Sequence, residues 1–328
     1  MTRELTRTSP SSQRTRPVAD SFELPGSPHL RVLKNEPMSR YTTWRIGGPA
    51  DFLVRAGTPD DLIAAMRWAR AEQMPAHAIG GGSNLLVGDR GIRGLVVAVC
   101  TPGERAEKLL SFEDAGDPVI VKVAAQAPLS WIGRYCSERG WSGMDWGAGL
   151  PGTIGGATVN NAGAHGTEQK DHLRAVVMLN AAGEIEELDG AWLESKYRHT
   201  RLKDSPHPRD YAVLEVVLSL PKGDPQVLRR LADEHAAYRH ATQPTGRCAG
   251  STFTNPPGDY AGRLLEDAGL KEFSVGGAQF SKIHSNFIVN DCTATAEDVR
   301  ELIQVARDRI RERYGIDLKP EIEEIGER

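Results

Sequence analysis

Asp145-Trp-Gly-Ala-Gly-Leu-Pro-Gly-Thr-Ile-Gly-Gly-Ala-Thr-Val-Asn-Asn-Ala-Gly-Ala-His-Gly166 is the stretch around which the rest of this chain reads. Seven of its residues are glycine (147, 149, 152, 155, 156, 163 and 166), and it carries almost no charge. Glycine loses more backbone freedom on folding than any other residue. A run this dense is kept only where the backbone must touch something or take positive φ. An anionic ligand, held by bare N–H groups in a nest or at a helix start, is the natural partner for such a surface. A flexible linker is the plain alternative, but linkers do not carry Trp146, Leu150, Ile154 and Val159, side chains that favour burial. The stretch reads as a buried loop facing a ligand.

With 328 residues the chain has room for two or three domains. Its net charge of −4, with signs interspersed, offers no basic face for nucleic acid. No apolar run approaches the roughly 18 residues of a spanning helix, so membrane insertion is not expected. Cys100, Cys136, Cys248 and Cys292 stand far apart without a CxxC pair. That suits a reduced, cytoplasmic chain better than a disulfide framework or zinc site. His165, His199 and His284 form no metal-ligand motif; they read as structural, and no metal is expected. The first 20 residues are polar, with Arg3, Arg7, Arg14 and Arg16 among Ser, Thr and Pro, and lack the apolar core of a secretion signal. A disordered tail over 1–28 is expected.

Leu30–Leu33 and Asp51–Val54 read as strands. Thr58-Pro59-Asp60-Asp61 starts a helix with a capping hydroxyl, proline at the first position and acids at the positive end. Ala76–Ile79 is a brief strand that runs into Gly80-Gly81-Gly82-Ser83-Asn84-Leu85, a second glycine loop, and Leu95–Val99 follows as a strand. Val119–Ala125 is a strand and Leu129–Arg139 a helix stopped by Gly140. Ala175–Leu179 and Glu184–Leu188 pair around Asn180-Ala181-Ala182-Gly183. Val213–Leu220 is a strand, and the Pro-Gly-rich segment after it marks a domain boundary. Gln226–His240 is a helix with Leu228, Leu231, His235 and Tyr238 on one side. Tyr260–Ala268 is a helix and Asn286–Val289 a strand. Thr295–Tyr314 is a long amphipathic helix facing inward through Val299, Leu302, Ile303, Ala306 and Ile310, closed by Gly315. The divisions are 29–98, 99–222 and 223–328.

Gly147-Ala148-Gly149-Leu150-Pro151-Gly152 is a literal G-x-G-x-x-G, but a dinucleotide-binding unit needs a strand directly before it and a helix opening within it. Trp141–Trp146 makes a poor strand and Pro151 fits only a helix's first turn, so the match is accidental. Two glycine-rich elements about 65 residues apart remain. A ligand with a long anionic centre, such as FAD, suits the space between them.

Several stretches together carry a family likeness. Tyr41-Thr42-Thr43-Trp44-Arg45-Ile46-Gly47-Gly48-Pro49-Ala50 with Ile79–Leu86 resembles the flavin-binding half of the UDP-N-acetylenolpyruvoylglucosamine reductase family. Gly149–Ala157 is similar to its second flavin loop, and Gly250-Ser251-Thr252-Phe253-Thr254-Asn255-Pro256 with Tyr260–Glu266 to its substrate domain. The resemblance implies an α+β chain: a two-subdomain FAD-binding fold of the p-cresol methylhydroxylase and vanillyl-alcohol oxidase type, plus a C-terminal α+β substrate domain. It implies an FAD oxidoreductase that uses NADPH on a UDP-sugar substrate in peptidoglycan precursor synthesis, and a monomer is expected. By position, Ser251 would be the proton donor with Arg198 and Glu321 as its partners. Gly80, Gly81, Gly82, Ser83, Asn84, Leu85, Gly147, Ala148, Gly152, Thr153, Gly155, Gly156 and Ala157 would hold FAD, and Tyr197, Arg239 and Asn255 the substrate. Thr254 stands where the family usually has Lys or Arg, so one cation near the substrate is missing.

The implied reaction delivers hydride from flavin N5 to the vinyl terminus of an enolpyruvyl ether and a proton to the adjacent carbon. Serine is a weak acid, yet a strongly basic carbon and a held donor make the role workable. Arg198 suits a developing enolate because its guanidinium is permanently charged, and a protonated Glu321 would donate to the same oxygen. Without the family pattern, Ser251 would cap the next turn, Arg198 would sit in a solvated charge run and Glu321 on the surface. Two other functions stay open: an FAD-dependent sugar or phenol oxidase of the same fold, and a non-catalytic nucleotide-binding protein.

Overall fold

The structure is a computed structural model that describes residues 20–99, 106–204 and 211–328. Its first part contains β1 (Ser21–Leu24), β2 (Ser27–Pro37), β3 (Pro49–Ala56), α1 (Pro59–Ala71), β4 (Ala76–Ile79), β5 (Leu85–Val87) and β6 (Ile92–Val99). Among the described residues one sheet runs β1-β2-β3-β6-β4, antiparallel at β1-β2-β3 and parallel where β3 and β4 flank β6. Crossover α1 makes the parallel step possible. Thr58 closes a capping box with Asp61, and Leu62, Ala65 and Ala69 turn inward. The tail expected over 1–28 needs correction here. Residues 21–28 belong to a hairpin in which Phe22 lies opposite Val32, and Leu24 is buried, so apolar contact holds them. The tail's remaining residues, 1–19, lie outside the described residues, as does Cys100.

The second part holds β7 (Leu110–Glu113), β8 (Val119–Ala124), α2 (Leu129–Glu138), α3 (Ile154–Val159), β9 (Gly163–Ala164), β10 (Thr167–Glu168), β11 (Leu173–Leu179), β12 (Ile185–Asp189) and β13 (Ala212–Leu220). Its sheet is antiparallel in the order β12-β11-β13-β8-β7. Val121, Val123, Val216 and Leu218 share a core with Ile132, Trp146 and Ile154. The glycine stretch therefore packs through its apolar residues onto this sheet, and Gly147 and Gly155 let it approach Leu129 and Ala125 closely.

The third part comprises α4 (Pro225–Thr242), α5 (Ala261–Asp267), β14 (Ser274–Val275), β15 (Ala278–Phe280), β16 (Ile288–Asn290), α6 (Ala296–Tyr314) and β17 (Glu323–Ile325). In α6 the five expected inward residues are all buried, Thr295 caps with Asp298, and Gly315 takes φ +68°. In α4 the expected face is corrected: Leu228 and Ala232 are buried, but Tyr238 is 59% exposed. The reason is that α4 leans on the second part. Arg134 on α2 pairs with Asp233, and Ala236 lies against Gly149.

A strand pair and a buried tryptophan are among the contacts that tie the third part to the first. Strand β17 runs parallel to β5, with Glu323 opposite Leu85 and Ile325 opposite Val87. Trp44 is 1% exposed inside the core of α5, α6 and Phe253, and its Nε1 donates to the Ile288 carbonyl at 2.8 Å. Trp44→Ala is expected to cost about 3–5 kcal/mol, the range for deleting a buried large aromatic. Urea unfolding followed by far-UV circular dichroism measures it; a loss under about 0.5 kcal/mol would mean that Trp44 behaves as a surface residue.

Candidate active site

The two glycine loops meet. A Cβ on Gly80 would come 2.5 Å from Thr153 Oγ1, and one on Gly81 3.1 Å from Gly152 Cα. At Gly82, φ is +61° and a Cβ would strike the Tyr41 carbonyl, so only glycine turns the chain there. Beside this contact opens a cavity of about 710 Å³. A second, of about 560 Å³, opens toward Arg40, Arg45 and Arg55, and both are lined by Gly80, Gly81, Gly152 and Thr153. A long ligand crossing at the glycine contact would thus have room on both sides. At the crossing it would meet backbone and the hydroxyls of Ser83 and Thr153, with little side-chain bulk in the way. These residues fit a flavin dinucleotide, whose centre is a pyrophosphate.

The larger cavity is lined by Gly80, Gly81, Gly82, Ser83, Asn84 and Leu85 from one loop and by Gly152, Thr153, Gly155, Gly156 and Ala157 from the other. Gly147 and Ala148, expected with them, do not line it. They are buried under the loop in a tight turn whose N–H groups are spent on Met144 O at 2.9 Å and Asp145 O at 3.1 Å.

Ser251, Arg198, Glu321 and Arg239 line the same cavity. Ser251 precedes a segment clamped on two sides. Thr252 N donates to Asn286 O at 2.7 Å, and the Asn286 amide brackets Phe253 through its N at 2.9 Å and its O at 2.8 Å. On the other side, Glu321 N donates to Thr252 O at 2.8 Å and Thr254 N to Lys319 O at 3.0 Å. This ladder brings Glu321 beside Ser251.

Arg198 occupies a tight turn between Lys196 and His199 at φ +56°, an uncommon conformation for a non-glycine residue and one found at functional sites. The turn is tied to the end of α3: Asn161 Nδ2 donates to Lys196 O at 2.8 Å and Thr200 Oγ1 to Val159 O at 2.6 Å. Arg198 Nε then donates to Glu321 Oε1 at 2.8 Å, and its Nη2 to Gly163 O at 2.8 Å. Burial raises the Glu321 carboxyl above its ordinary range, against the lowering pull of Arg198 and Lys203. Arg239 has its Nε buried without a hydrogen-bond partner, and burial disfavours its charge. An anionic group beside it would restore that balance.

Tyr197 and Asn255 do not line the cavity. Tyr197 is 48% exposed and lies against the Arg198 guanidinium, while Asn255 Oδ1 accepts from Ala261 N at 3.0 Å and so serves the start of α5. Lys203 and Asn160 were not expected at the site, yet both line the cavity. Lys203 Nζ donates to Asn160 Oδ1 at 3.0 Å and pairs with Glu323 at 2.7 Å. The adjacent amides Asn160-Asn161, inside the glycine stretch, are the sequence signal for them. Thr254 is tied to Lys319 O through its hydroxyl at 3.3 Å.

Two linked subdomains joined by glycine loops, with a third part closing the cavity beside them, define an FAD-binding oxidoreductase fold. Comparisons with known proteins agree. Residues 50–189 match the model of the FAD binding domain, and residues 242–325 that of the UDP-N-acetylenolpyruvoylglucosamine reductase C-terminal domain. The chain is 39% identical over 299 residues to the UDP-N-acetylenolpyruvoylglucosamine reductase of Caldanaerobacter subterraneus, covering 91% of this chain and 95% of that one. With the enzyme of the same name from Methylococcus capsulatus it shares 41% identity, over 90% of this chain and 93% of the relative. The crystal structure of the Thermus caldophilus reductase superposes with a TM-score of 0.72 at 31% identity, covering 90% of this chain and 98% of that one. The chain belongs to the UDP-N-acetylenolpyruvoylglucosamine reductase family.

Proposed function

We infer that this chain is an FAD-dependent, NADPH-consuming reductase that converts UDP-N-acetylglucosamine enolpyruvate to UDP-N-acetylmuramate. The observation that carries this reading is one cavity lined by both glycine loops and by Ser251, Arg198 and Glu321, with Arg198 and Glu321 2.8 Å apart. The two glycine loops would hold FAD, which would supply a hydride taken from NADPH. Ser251 gives its proton to the carbon that becomes basic as hydride arrives at its neighbour. Arg198 and protonated Glu321 hold the carboxylate-derived oxygen on which charge gathers, a preorganised pair that needs no rearrangement at that moment. Arg239 takes an anionic group of the UDP-sugar. The sheet of residues 21–99 and the sheet of residues 110–220 serve as the flavin-binding subdomains and residues 223–328 as the substrate domain, with α4 leaning on the second subdomain. The expected setting is the cytoplasm, and the chain acts as a monomer; among the described residues no helix is long and apolar enough to cross a membrane.

The absorbance spectrum tests the assignment. Purified protein is expected to be yellow, to bleach with NADPH and to regain colour without air when the enolpyruvyl UDP-sugar is added. Rapid recovery in air together with indifference to the sugar nucleotide would assign it instead as an oxidase. A colourless protein that ignores added flavin would sink both.

A further inference from the structure

His165 and His235 stack face to face, their ring centroids 3.8 Å apart and their planes 8° from parallel. His165 is at the tip of the β9–β10 hairpin, where it and Gly166 take φ of +54° and +85°, the two positive values of a type I′ turn. His235 comes from α4, one helical turn before Arg239. At the base of the same hairpin, Gly163 gives its carbonyl to Arg198. The stack therefore joins the hairpin that braces Arg198 to the helix that carries Arg239, and both arginines line the cavity.

Among the described residues, the charged and titratable groups around the stack come from two elements. On α4, Tyr238 meets His165 edge-on at 5.7 Å and Arg239 adds its positive charge. On the turn that opens the glycine stretch, Asp145 Oδ2 lies 3.3 Å from His235 Nδ1, out of alignment for a hydrogen bond. Two imidazolium rings at this spacing repel each other, and Arg239 adds to the repulsion. One carboxylate offsets only one of these charges. Burial, then His235 and Arg239, hold His165 below the ordinary imidazole range, with Asp145 working the other way.

We propose that the His165–His235 stack is a positioning element for substrate binding, fixing the spacing of Arg198 and Arg239 while at most one ring is charged and freeing the hairpin from α4 when both are. The proposal rests on the reaction inferred above. Because His165 takes its proton below the ordinary value of 6.5, the loosening falls on the acid side. A diphosphate esterified at both ends keeps its charge across that range, so an acid change in KM reports the protein.

The test uses flavin-loaded protein and measures KM for the enolpyruvyl UDP-sugar and kcat between about pH 5 and 8. His235→Phe keeps a stacking ring that cannot be protonated. His165→Asn removes a ring but tolerates the left-handed turn. In the parent, KM is expected to rise about tenfold toward the acid end. His235→Phe should keep the parent's neutral KM and lose that rise. His165→Asn should show a KM raised about tenfold already at neutral pH, with kcat within about threefold of the parent. An acid rise that persists in His235→Phe overturns the proposal, as does an unchanged neutral KM in His165→Asn. Normal turnover with a flat KM in the parent overturns it alone, whereas no turnover of the sugar nucleotide at any pH removes the reaction and the proposal together.

Discussion

Ser251→Ala is expected to leave the bleaching of flavin by NADPH at the parent's rate while slowing recovery of colour on the UDP-sugar by about 10²–10⁴-fold, the range of positioned general acid–base help. A serine hydroxyl is too weak an acid to succeed by acidity. What the fold supplies is position: the next three residues are held by Asn286 on one side and by the 319–321 segment on the other, through hydrogen bonds of 2.7–3.0 Å. A donor fixed in this way exchanges a collision for a vibration-scale approach, and placement of that kind is worth several kcal/mol. Alanine keeps the backbone ladder intact, because none of those bonds uses the Ser251 side chain. Stopped-flow records of the two half-reactions separate the outcomes. Equal slowing in both halves would point to a damaged flavin site and remove Ser251 from the proton-donor role.

Arg198→Met is expected to lower kcat by about 10²–10³-fold, the usual loss when one preorganised oxyanion partner is removed. It also leaves Glu321 without its cation. The two side chains are 20% and 19% exposed, and the carboxyl, whose proton affinity burial already raises, can take a proton when its cation is removed, so the loss should be that of a charge-assisted hydrogen bond, about 1.5–3 kcal/mol. The pH dependence follows from the direction of the Glu321 shift. Burial raises its carboxyl above the ordinary value of 4.5, so the folded chain holds a proton that the unfolded chain has lost. Stability from this group is therefore undiminished below about 4.5 and falls as pH rises through the raised value. Arg198 opposes the shift, so removing it should carry the decline to higher pH. Urea midpoints measured across pH in both proteins show this. Identical pH profiles, or a kcat within threefold of the parent, would mean that Arg198 does not govern Glu321.

Much of the fold was legible where the physics is local. The capping hydroxyls Thr58 and Thr295, the closing glycines Gly140 and Gly315 and the apolar face of α6 all act within one helix, so spacing alone reveals them. Spacing places Tyr238 on the inward side of α4, yet it is exposed, because periodicity gives a face but not the neighbour it meets. Helix α4 turns its buried face to α2 and the turn at 145–147, and Tyr238 falls outside it. Gly147 and Ala148 lie off the cavity for a related reason: glycine density does not say what each glycine approaches, and Gly147 lies against Leu129 of α2, where a Cβ would come 3.2 Å from the carbonyl.

What the sequence by itself determined is the family, through its motifs, and the two loops whose missing side chains open a path for a dinucleotide. Only the tertiary structure decided that Glu321 stands next to Arg198 and Ser251. Glu323 N donates to Asn84 O at 2.9 Å and Asn84 Nδ2 to Glu321 O at 3.1 Å, bonds that pin the end of the chain to the first glycine loop. Likewise His165 and His235 share no local pattern; a hairpin and a helix from different parts of the chain bring them together. Contacts between residues so far apart arise from packing whole sheets and helices against one another, and no spacing along the chain encodes them.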